Sequence, residues 1–454
     1  MKSTKLTTLE LYSYTIGGVI GSGLFILLPI AIGLAGKGAI FAMIMGVLLA
    51  FFAQLFNFII ASMFPLKGGD YSQMAFLMPP VVSGIYGFLW LIASLTMAGY
   101  ATSAISYTSS VITSVPSESK LLSIGIITLF FGISYFGTKF GGKVESAMTV
   151  ILLGALLLFV IMGLPKINFS KYISEGGFFD CGFSNFAAAC NMCLYAVLGC
   201  TLVPVSLSSE LKRPTREAPK AMIGCSLIVL VISTLIVFVA TGVLPIEQVA
   251  NKDLSVVAQY IFPKGVFVAF ILCGAVLALL TSLFTSVTTF RYPIMQMADE
   301  GWIPPVFKKK AKNGWPYVSM TALYLITLIP IIFNISFDTI VSLTNLVFYI
   351  IIFFAVVKCM ALPKKYPEPW KCSFLHAMPI PVYYIFCSVG LIACGYMIYG
   401  SCAGQSFGFI IASFATILIV AVYVIWRLKV KAVSIEYLKS QKQKVIEEAL
   451  SYKE

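Results

Sequence analysis

The residues best placed to do chemistry in this chain are Ala278, Thr281 and Ser282. At positions i, i+3 and i+4 of a helix they share one face. A backbone carbonyl and two hydroxyl groups are hard oxygen donors of the kind that bind small cations. Ser and Thr hydroxyls also commonly bond to the carbonyl of the preceding helical turn, so the group has an ordinary structural interpretation as well.

Ionisable side chains that could move protons or perform catalysis are scarce. The single histidine, His376, lies in or near a loop, and Glu10 and Glu145 lie at the ends of apolar segments. Cys190 and Cys193 form a C-x-x-C pair inside an apolar segment, which favours packing over metal or redox chemistry. The sequence therefore predicts no carrier for a proton-coupled process and no active site of an enzyme.

These residues must be positioned by a strongly apolar chain. It has 454 residues, 59% of them hydrophobic and 11% charged, with a mean hydropathy of +0.96. Soluble domains carry about 25% charged residues. The composition excludes a soluble enzyme, a nucleic-acid-binding protein and a disordered chain, and it predicts an all-α polytopic protein embedded in the lipid bilayer. A transmembrane barrel is excluded because its strands would alternate apolar and polar residues.

Uncharged intervals predict twelve transmembrane helices, because each is long enough to cross a bilayer with about 20 residues. Pro79 and Pro80 delay the start of span 3, and the long interval 372–426 divides at residues 400–404 into spans 11 and 12. Residues 1–430 then form a single transmembrane domain, and residues 431–454 form a solvated cytoplasmic tail. Spans 1 to 10 are, in order, residues 11–36, 38–66, 81–111, 121–138, 146–165, 181–209, 221–246, 265–290, 313–337 and 339–357.

The basic residues predict the orientation of these spans. With both termini in the cytoplasm, all but six of the 31 Lys and Arg residues fall on the inner side, as the positive-inside rule requires. The formal net charge of +13 is therefore a topological signal in a multi-pass protein of the plasma membrane. The six outer basic residues are Lys37, Lys120, Lys166, Lys171, Lys252 and Lys264.

Span 1 is predicted to be broken. Residues 17–23 contain four glycines, each of which costs a helix interior about 1 kcal/mol relative to Ala. Gly17 and Gly21 also have the spacing of a helix-contact motif. Small residues nevertheless crowd every face of the segment. Irregular backbone at this depth is tolerated where it is buried or lines a cavity, and this favours an unwound stretch.

Span 6 has a corresponding weakness at Gly199 and Pro204, which together can interrupt its hydrogen-bond ladder. Spans 1 and 6 are five apart. The sequence therefore predicts two inverted five-helix repeats, helices 1–5 at about residues 9–165 and helices 6–10 at about 181–358, followed by helices 11–12 at about 380–427. Interrupted segments at equivalent positions of two halves point to the binding site of a transporter.

Four motifs resemble those of the amino acid–polyamine–organocation superfamily, the amino acid permeases with the leucine-transporter-type fold. G-x-x-I-G-S-G-L-F in span 1 resembles the family's first-helix signature, and P-L-K-G-G-D-Y resembles its loop after helix two. E-L-K-R-P followed by P-K-A resembles its segment after helix six, and M-A-D-E-G-W-I-P its segment after helix eight. The motifs occupy residues 17–25, 65–71, 210–221 and 297–304.

The resemblance implies a secondary active transporter that moves amino acids by alternating access. It places the substrate carboxylate at the amides of Gly21, Ser22 and Gly23. It places the ammonium group at carbonyls near Val19 and in the break of span 6. Tyr195 would be an aromatic gate or else a buried, hydrogen-bonded ring. The remaining candidates for substrate contact are Ala196, Gly199, Thr201 and Tyr100, the last of which also suits an interfacial belt.

The chain departs from the family pattern at two places that concern the substrate and the coupling ion. Several members carry Glu where this chain has Thr201, and some carry Lys in helix five, where residues 150–154 contain none. A neutral, zwitterionic amino acid is therefore expected, because no acidic side chain is predicted in the pocket. The resemblance further implies Na⁺ as the only candidate cofactor. Its ligands would be Gly17, Ile20, Ala278, Thr281 and Ser282.

Two alternatives remain open at the level of sequence. The protein could exchange amino acids without sodium, or it could be an amino acid sensor that keeps the fold without transport. The expected partners are an amino acid and the lipid bilayer, and neither a nucleic acid nor an obligatory protein partner is predicted.

Overall fold

The computed structural model describes residues 5–167, 169–174, 177–252, 254–335, 337–402 and 407–451. Within these residues the chain forms helices and connecting turns without β-strands, as the sequence predicts. Among the described residues, eight helical stretches are long and apolar enough to cross a membrane. Three shorter apolar helices accompany them: Lys120–Ser134, Tyr317–Phe333 and Thr344–Met360. The protein is therefore an all-α polytopic membrane protein.

Helices occupy each of the twelve predicted spans. Spans 1 and 8 each contain a π-helical turn, and spans 2, 3 and 6 each consist of two helices. In chain order the helices of spans 1 to 6 are Thr8–Ser22, Gly23–Leu27 and Leu28–Ala35; Ala39–Ala53 and Leu55–Met63; Pro80–Ala93 and Met97–Val111; Lys120–Ser134; Thr138–Gly163; and Gly182–Tyr195 and Gly199–Ser206. Those of spans 7 to 12 are Pro214–Val243; Lys264–Phe270, Ile271–Val276 and Leu277–Thr289; Tyr317–Phe333; Phe337–Met360; Ile380–Cys402; and Phe407–Lys429.

Spans 1 and 6 lie at the centre of the packing. The helix Thr8–Ser22 contacts spans 5, 6, 7 and 8, and the helix Gly182–Tyr195 contacts span 2 and the second half of span 1. Cys190 and Cys193 are buried in that helix as free thiols, in agreement with a packing role. Both spans are nearly free of charged residues. They can therefore be surrounded by other helices without burying a charge that needs a partner.

At one end of the molecule, the loops after spans 2, 6 and 8 meet both ends of the chain. We call this end the terminal face. Leu6 N donates to Glu210 O at 2.9 Å, and Lys67 pairs with Glu448 at 3.3 Å. The tail, predicted to be amphipathic and solvated, contains the helix Ile435–Ser451, whose side chains are mostly exposed or partly exposed, while Ala449 is buried. Its amphipathic pattern gives it an apolar side that packs on the domain.

Candidate functional site

The interruption of span 1 is centred on Gly21, whose backbone angles of φ −44° and ψ −114° are not helical. A π-helical turn, Gly23–Leu27, follows directly. The break is therefore a kink and a widened turn rather than the longer unwound stretch that the sequence suggests. Span 8 approaches so closely here that a Cβ atom at Gly21 would lie 1.9 Å from Ser282 Oγ and 2.9 Å from Ala278 O.

The hydroxyl groups of span 8 meet the backbone of span 1 beside this kink. Thr281 Oγ1 donates to Gly17 O at 3.0 Å and to Ala278 O at 2.9 Å. Ser282 Oγ lies 3.2 Å from Gly17 O and 3.3 Å from Gly18 O. The contact is therefore built from neutral oxygen atoms of two spans that are far apart in the sequence.

Four of the five residues named as cation ligands are brought together by this contact, which we call the oxygen cluster: Gly17, Ala278, Thr281 and Ser282. Ile20, the fifth, is buried three residues after Gly17 in the same helix. The ordinary interpretation of these hydroxyls also holds in part, because Thr281 bonds to the carbonyl of the preceding turn. The same hydroxyl nevertheless reaches across to span 1.

Glu145 corrects the expectation that ionisable groups lie only at span ends. It is fully buried in the helix Thr138–Gly163, which begins eight residues before the predicted span 5. Its Oε1 accepts a hydrogen bond from Thr285 Oγ1 at 3.3 Å and would lie 2.2 Å from a Cβ atom at Gly17. The sequence argument defined each span as an interval between charged residues. It therefore placed every carboxylate at the end of a span and could not detect a buried one.

Span 6 is interrupted as predicted. A turn over residues 196–198 separates the helices Gly182–Tyr195 and Gly199–Ser206. Gly199, which directly follows the turn, packs against span 1 just before its kink. A Cβ atom added at Gly199 would lie 2.9 Å from Val19 Cγ2. The two interrupted segments are therefore neighbours in the centre of the protein.

A cavity of about 770 Å³ opens between these segments. Of the residues proposed for substrate contact, Val19, Tyr100, Ala196 and Gly199 line it. Residues of spans 2, 3, 8, 10 and 11 also line it. The volume is ample for an amino acid, and the combination of apolar walls with a few polar groups is typical of small-molecule sites.

Other predicted contact residues do not line the cavity. Gly21 packs against span 8 instead. Thr201 is buried, and its hydroxyl donates to Leu198 O at 3.2 Å within its own helix. The remaining predictions fall outside the part of the chain whose side chains are described: Ser22, Gly23 and Tyr195.

Asp70 lines the cavity as well, although the sequence predicted no acidic side chain there. It is fully buried in the helix Gly69–Leu77, between spans 2 and 3, and accepts hydrogen bonds from Tyr86 Oη and Trp90 Nε1. Burial raises its pKa to about 6, against hydrogen bonds that lower it. The segment between spans 2 and 3 thus brings Asp70 to the cavity wall. The position of Asp70 between two spans in the sequence did not indicate this contact.

The motif after span 6 fastens the terminal face. Glu210 Oε1 accepts from Tyr292 Oη at 2.9 Å and lies 3.7 Å from Arg291 Nη2. Arg291 also donates to Thr138 at the start of span 5. The ion pair therefore joins the ends of spans 5, 6 and 8.

The motifs after spans 2 and 8 meet in a second polar group. Glu300 accepts hydrogen bonds from Tyr71 Oη, from Gln296 Nε2 at 2.9 Å and from Trp302 Nε1 at 3.2 Å. Sequence reasoning used these motifs only as signs of family resemblance. The structure shows that they supply structural contacts at the terminal face.

Comparison with known proteins gives a consistent result. Residues 6–426 match the family model of the amino acid permeases. The branched-chain amino acid permease BcaP of Bacillus subtilis is 24% identical, over 83% of this chain and 85% of the relative. The lysine-specific permease LysP of Lactococcus lactis is 25% identical, over 71% and 68%. The D-serine/D-alanine/glycine transporter of Escherichia coli is 24% identical, over 70% of each chain.

Proposed function

The chain belongs to the amino acid permease family, and on this basis we propose that it carries neutral, zwitterionic amino acids across the plasma membrane by sodium-coupled alternating access. Members of this family are transporters rather than enzymes, so amino acid transport is the premise. The identity of the substrate, the coupling ion, the plasma membrane and the cytoplasmic position of both termini are our proposals.

One observation carries the proposal of a substrate site: the interrupted segments of spans 1 and 6 face the same cavity. Backbone groups released from helical hydrogen bonding suit the two charged ends of an amino acid. The family resemblance assigns the carboxylate to the amides around Gly21, Ser22 and Gly23, although Gly21 packs against span 8 and not on the cavity wall. We assign the ammonium group to carbonyls near Val19 and Ala196, both on the cavity wall.

We retain the neutral side chain as the proposal although Asp70 lines the cavity, because part of this carboxylate is already engaged. Its Oδ2 accepts from both Tyr86 and Trp90, which leaves only Oδ1 for a cationic group. The relatives include transporters named for branched-chain amino acids, for D-serine, D-alanine and glycine, and for lysine. Competition by lysine is therefore the direct test of this assignment.

Sodium fits the oxygen cluster. Its ligands would be carbonyl and hydroxyl oxygens, which hard cations prefer, and an ion there would replace the hydrogen bonds that now join these oxygens at 2.9–3.3 Å. Gly17, Ala278, Thr281 and Ser282 would hold the ion together with Ile20. Bound sodium would carry positive charge across the membrane together with the amino acid, so that the sodium gradient drives uptake.

Uptake into proteoliposomes tests the coupled function. Radiolabelled leucine or alanine should accumulate faster with an inward sodium gradient than in sodium-free buffer of equal ionic strength. Accumulation that is unchanged without sodium would identify an exchanger. Ligand-dependent thermal stabilisation without uptake or counterflow would identify a sensor. Strong competition by lysine would replace the neutral substrate with a cationic one.

The variant Ser282→Ala tests the sodium assignment. Loss of one ligand should raise the sodium concentration for half-maximal uptake about tenfold, equivalent to about 1.4 kcal/mol, with little change in substrate preference. Thr288→Val is the matched control, because the Thr288 hydroxyl bonds at 3.0 Å to Phe284 O of its own helix. An unaltered sodium response in Ser282→Ala would count against the assignment.

A further inference from the structure

Glu145 is a buried carboxylate without a counter-charge. Its side chain is fully buried between spans 1, 5 and 8. Among the described residues, Oε2 has no hydrogen-bond partner, and no ion pair includes Glu145. A carboxylate in a medium of low dielectric constant is strongly destabilised unless a cation or a proton neutralises it.

Further oxygen atoms surround this carboxylate. Thr149, one turn later in span 5, directs its hydroxyl to Ser13 O at 3.1 Å. Thr285 of span 8 directs its hydroxyl to Tyr14 O at 3.1 Å and to Glu145 Oε1 at 3.3 Å. Two hydroxyls, two carbonyls and a carboxylate therefore converge from three spans.

This group lies next to the oxygen cluster but is distinct from it. A Cβ atom at Gly17 would lie 2.2 Å from Glu145 Oε1 and 2.8 Å from Thr149 Oγ1, whereas the carbonyl of Gly17 faces Thr281 and Ser282. Ser13 and Tyr14 precede Gly17 by about one helical turn. The Glu145 group is thus one turn nearer the terminal face, and it alone contains a formal negative charge.

The oxygen atoms around Glu145 suit a metal cation as the neutralising partner. Oε2 makes no hydrogen bond to the described residues, so this oxygen is left for a neutralising partner. An ion with several oxygen ligands would use Oε2 together with the neighbouring hydroxyl and carbonyl oxygens.

We propose that Glu145, with Thr149 and Thr285, forms a second site for a monovalent cation, in which the carboxylate is the charged ligand. This inference rests on the proposed sodium coupling and deepens it. The neutral oxygen cluster is the first site, and the Glu145 site lies about one helical turn nearer the terminal face.

Binding of sodium-22 to the purified protein tests this site directly. Glu145→Gln keeps the size of the side chain and removes its charge, so sodium affinity should fall about tenfold or more. Thr149→Val should weaken binding as well. Glu10→Gln is the matched control, because the Glu10 carboxylate already has Lys139 as a counter-charge at 2.6 Å. Its sodium affinity should stay within about twofold of the wild type, the size of effect expected away from a ligand.

Two results would overturn the proposal. The first is wild-type sodium affinity in both Glu145→Gln and Thr149→Val. The second is a wild-type protein that shows no saturable sodium binding. If Glu145→Gln does not purify as a monodisperse protein, Thr149→Val alone decides between retained and weakened binding.

Amino acid counterflow separates a failure of this site from a failure of the proposed function. Counterflow by the wild-type protein needs no ion gradient, so it reports amino acid transport independently of the sodium-22 measurements. A wild-type protein that performs no counterflow with any amino acid would remove the proposed function, whatever the sodium measurements show.

Discussion

Gly21 illustrates how a single residue permits the site to form. The kinked backbone of span 1 lies against span 8 at a distance that excludes even a methyl group. The same contact places Ser282 Oγ on the carbonyls of Gly17 and Gly18. Glycine is therefore required here for close approach, which explains one member of the glycine-rich segment that the sequence singled out.

Gly21→Ala should destabilise the protein by about 1–3 kcal/mol, because the new methyl group must displace Ser282 and the backbone at Ala278. Thermal unfolding in detergent measures the effect. Gly125→Ala in span 4 is the control, since nothing lies within 4 Å of a Cβ atom there. Equal melting temperatures for the two variants would contradict the close packing of spans 1 and 8.

Asp70 makes stability depend on pH. Burial raises its pKa from 3.8 to about 6, so the folded protein binds a proton more readily than the unfolded chain does. Its contribution to stability is therefore fully present below pH 3.8 and is lost as the pH rises through about 6.

Asp70→Asn should abolish this contribution. The amide oxygen still accepts from Tyr86 and Trp90 but carries no charge, so the variant should be more stable than the wild type above about pH 6. Melting temperatures of both proteins measured across this range provide the comparison. A difference that does not change with pH would show that the carboxylate does not titrate in the folded protein.

At the scale of elements, the two interruptions differ in form. Span 6 is broken by a turn between two helices, whereas span 1 continues through a kink and a π-helical turn. Span 8 contains its own π-helical turn, Ile271–Val276, directly before the oxygen cluster. π-Helical turns often mark functional sites, and here they occur on both spans whose oxygen atoms form the oxygen cluster.

The helix Gly69–Leu77 is held to the helix Arg291–Glu300 through Tyr71. Tyr71→Phe removes one of three donors to the buried Glu300 carboxylate and should cost about 1–3 kcal/mol. Thermal unfolding measures this loss. Tyr12→Phe is the control, because its hydroxyl makes a longer and exposed bond to Lys220 O. A change of the same size in both variants would argue against the Glu300 contact as an anchor.

At the scale of the whole molecule, the charge asymmetry predicts an orientation that two cysteines can test. Cys372, between spans 10 and 11, is exposed, and Cys181, at the start of span 6, is partly exposed. A membrane-impermeant maleimide should label Cys372 only from the cytoplasmic side and Cys181 only from outside. Single-cysteine variants in intact cells and inverted vesicles separate the two. Labelling of both from one side would refute the predicted topology.

Sequence reasoning succeeded where the property is local. The helical spans, the weak points of spans 1 and 6 and the grouping of Ala278, Thr281 and Ser282 follow from chain length, glycine content and helical spacing. It failed for Glu145 and Asp70, because a charged residue was taken to mark the edge of the membrane domain. Their burial depends on neighbours from other spans, and single-segment hydropathy contains no information about those neighbours.

By itself, the sequence determined that this is a multi-span helical membrane protein with two interrupted helices in equivalent positions. The thickness of the bilayer and the cost of unpaired polar groups act on each segment separately, so these features can be predicted from the chain. Only the tertiary structure decided that Gly17, Glu145 and Thr285 meet and that Asp70 faces the cavity. Those contacts arise from the packing of distant spans, which is set by the fit of side chains in three dimensions rather than by any segment alone.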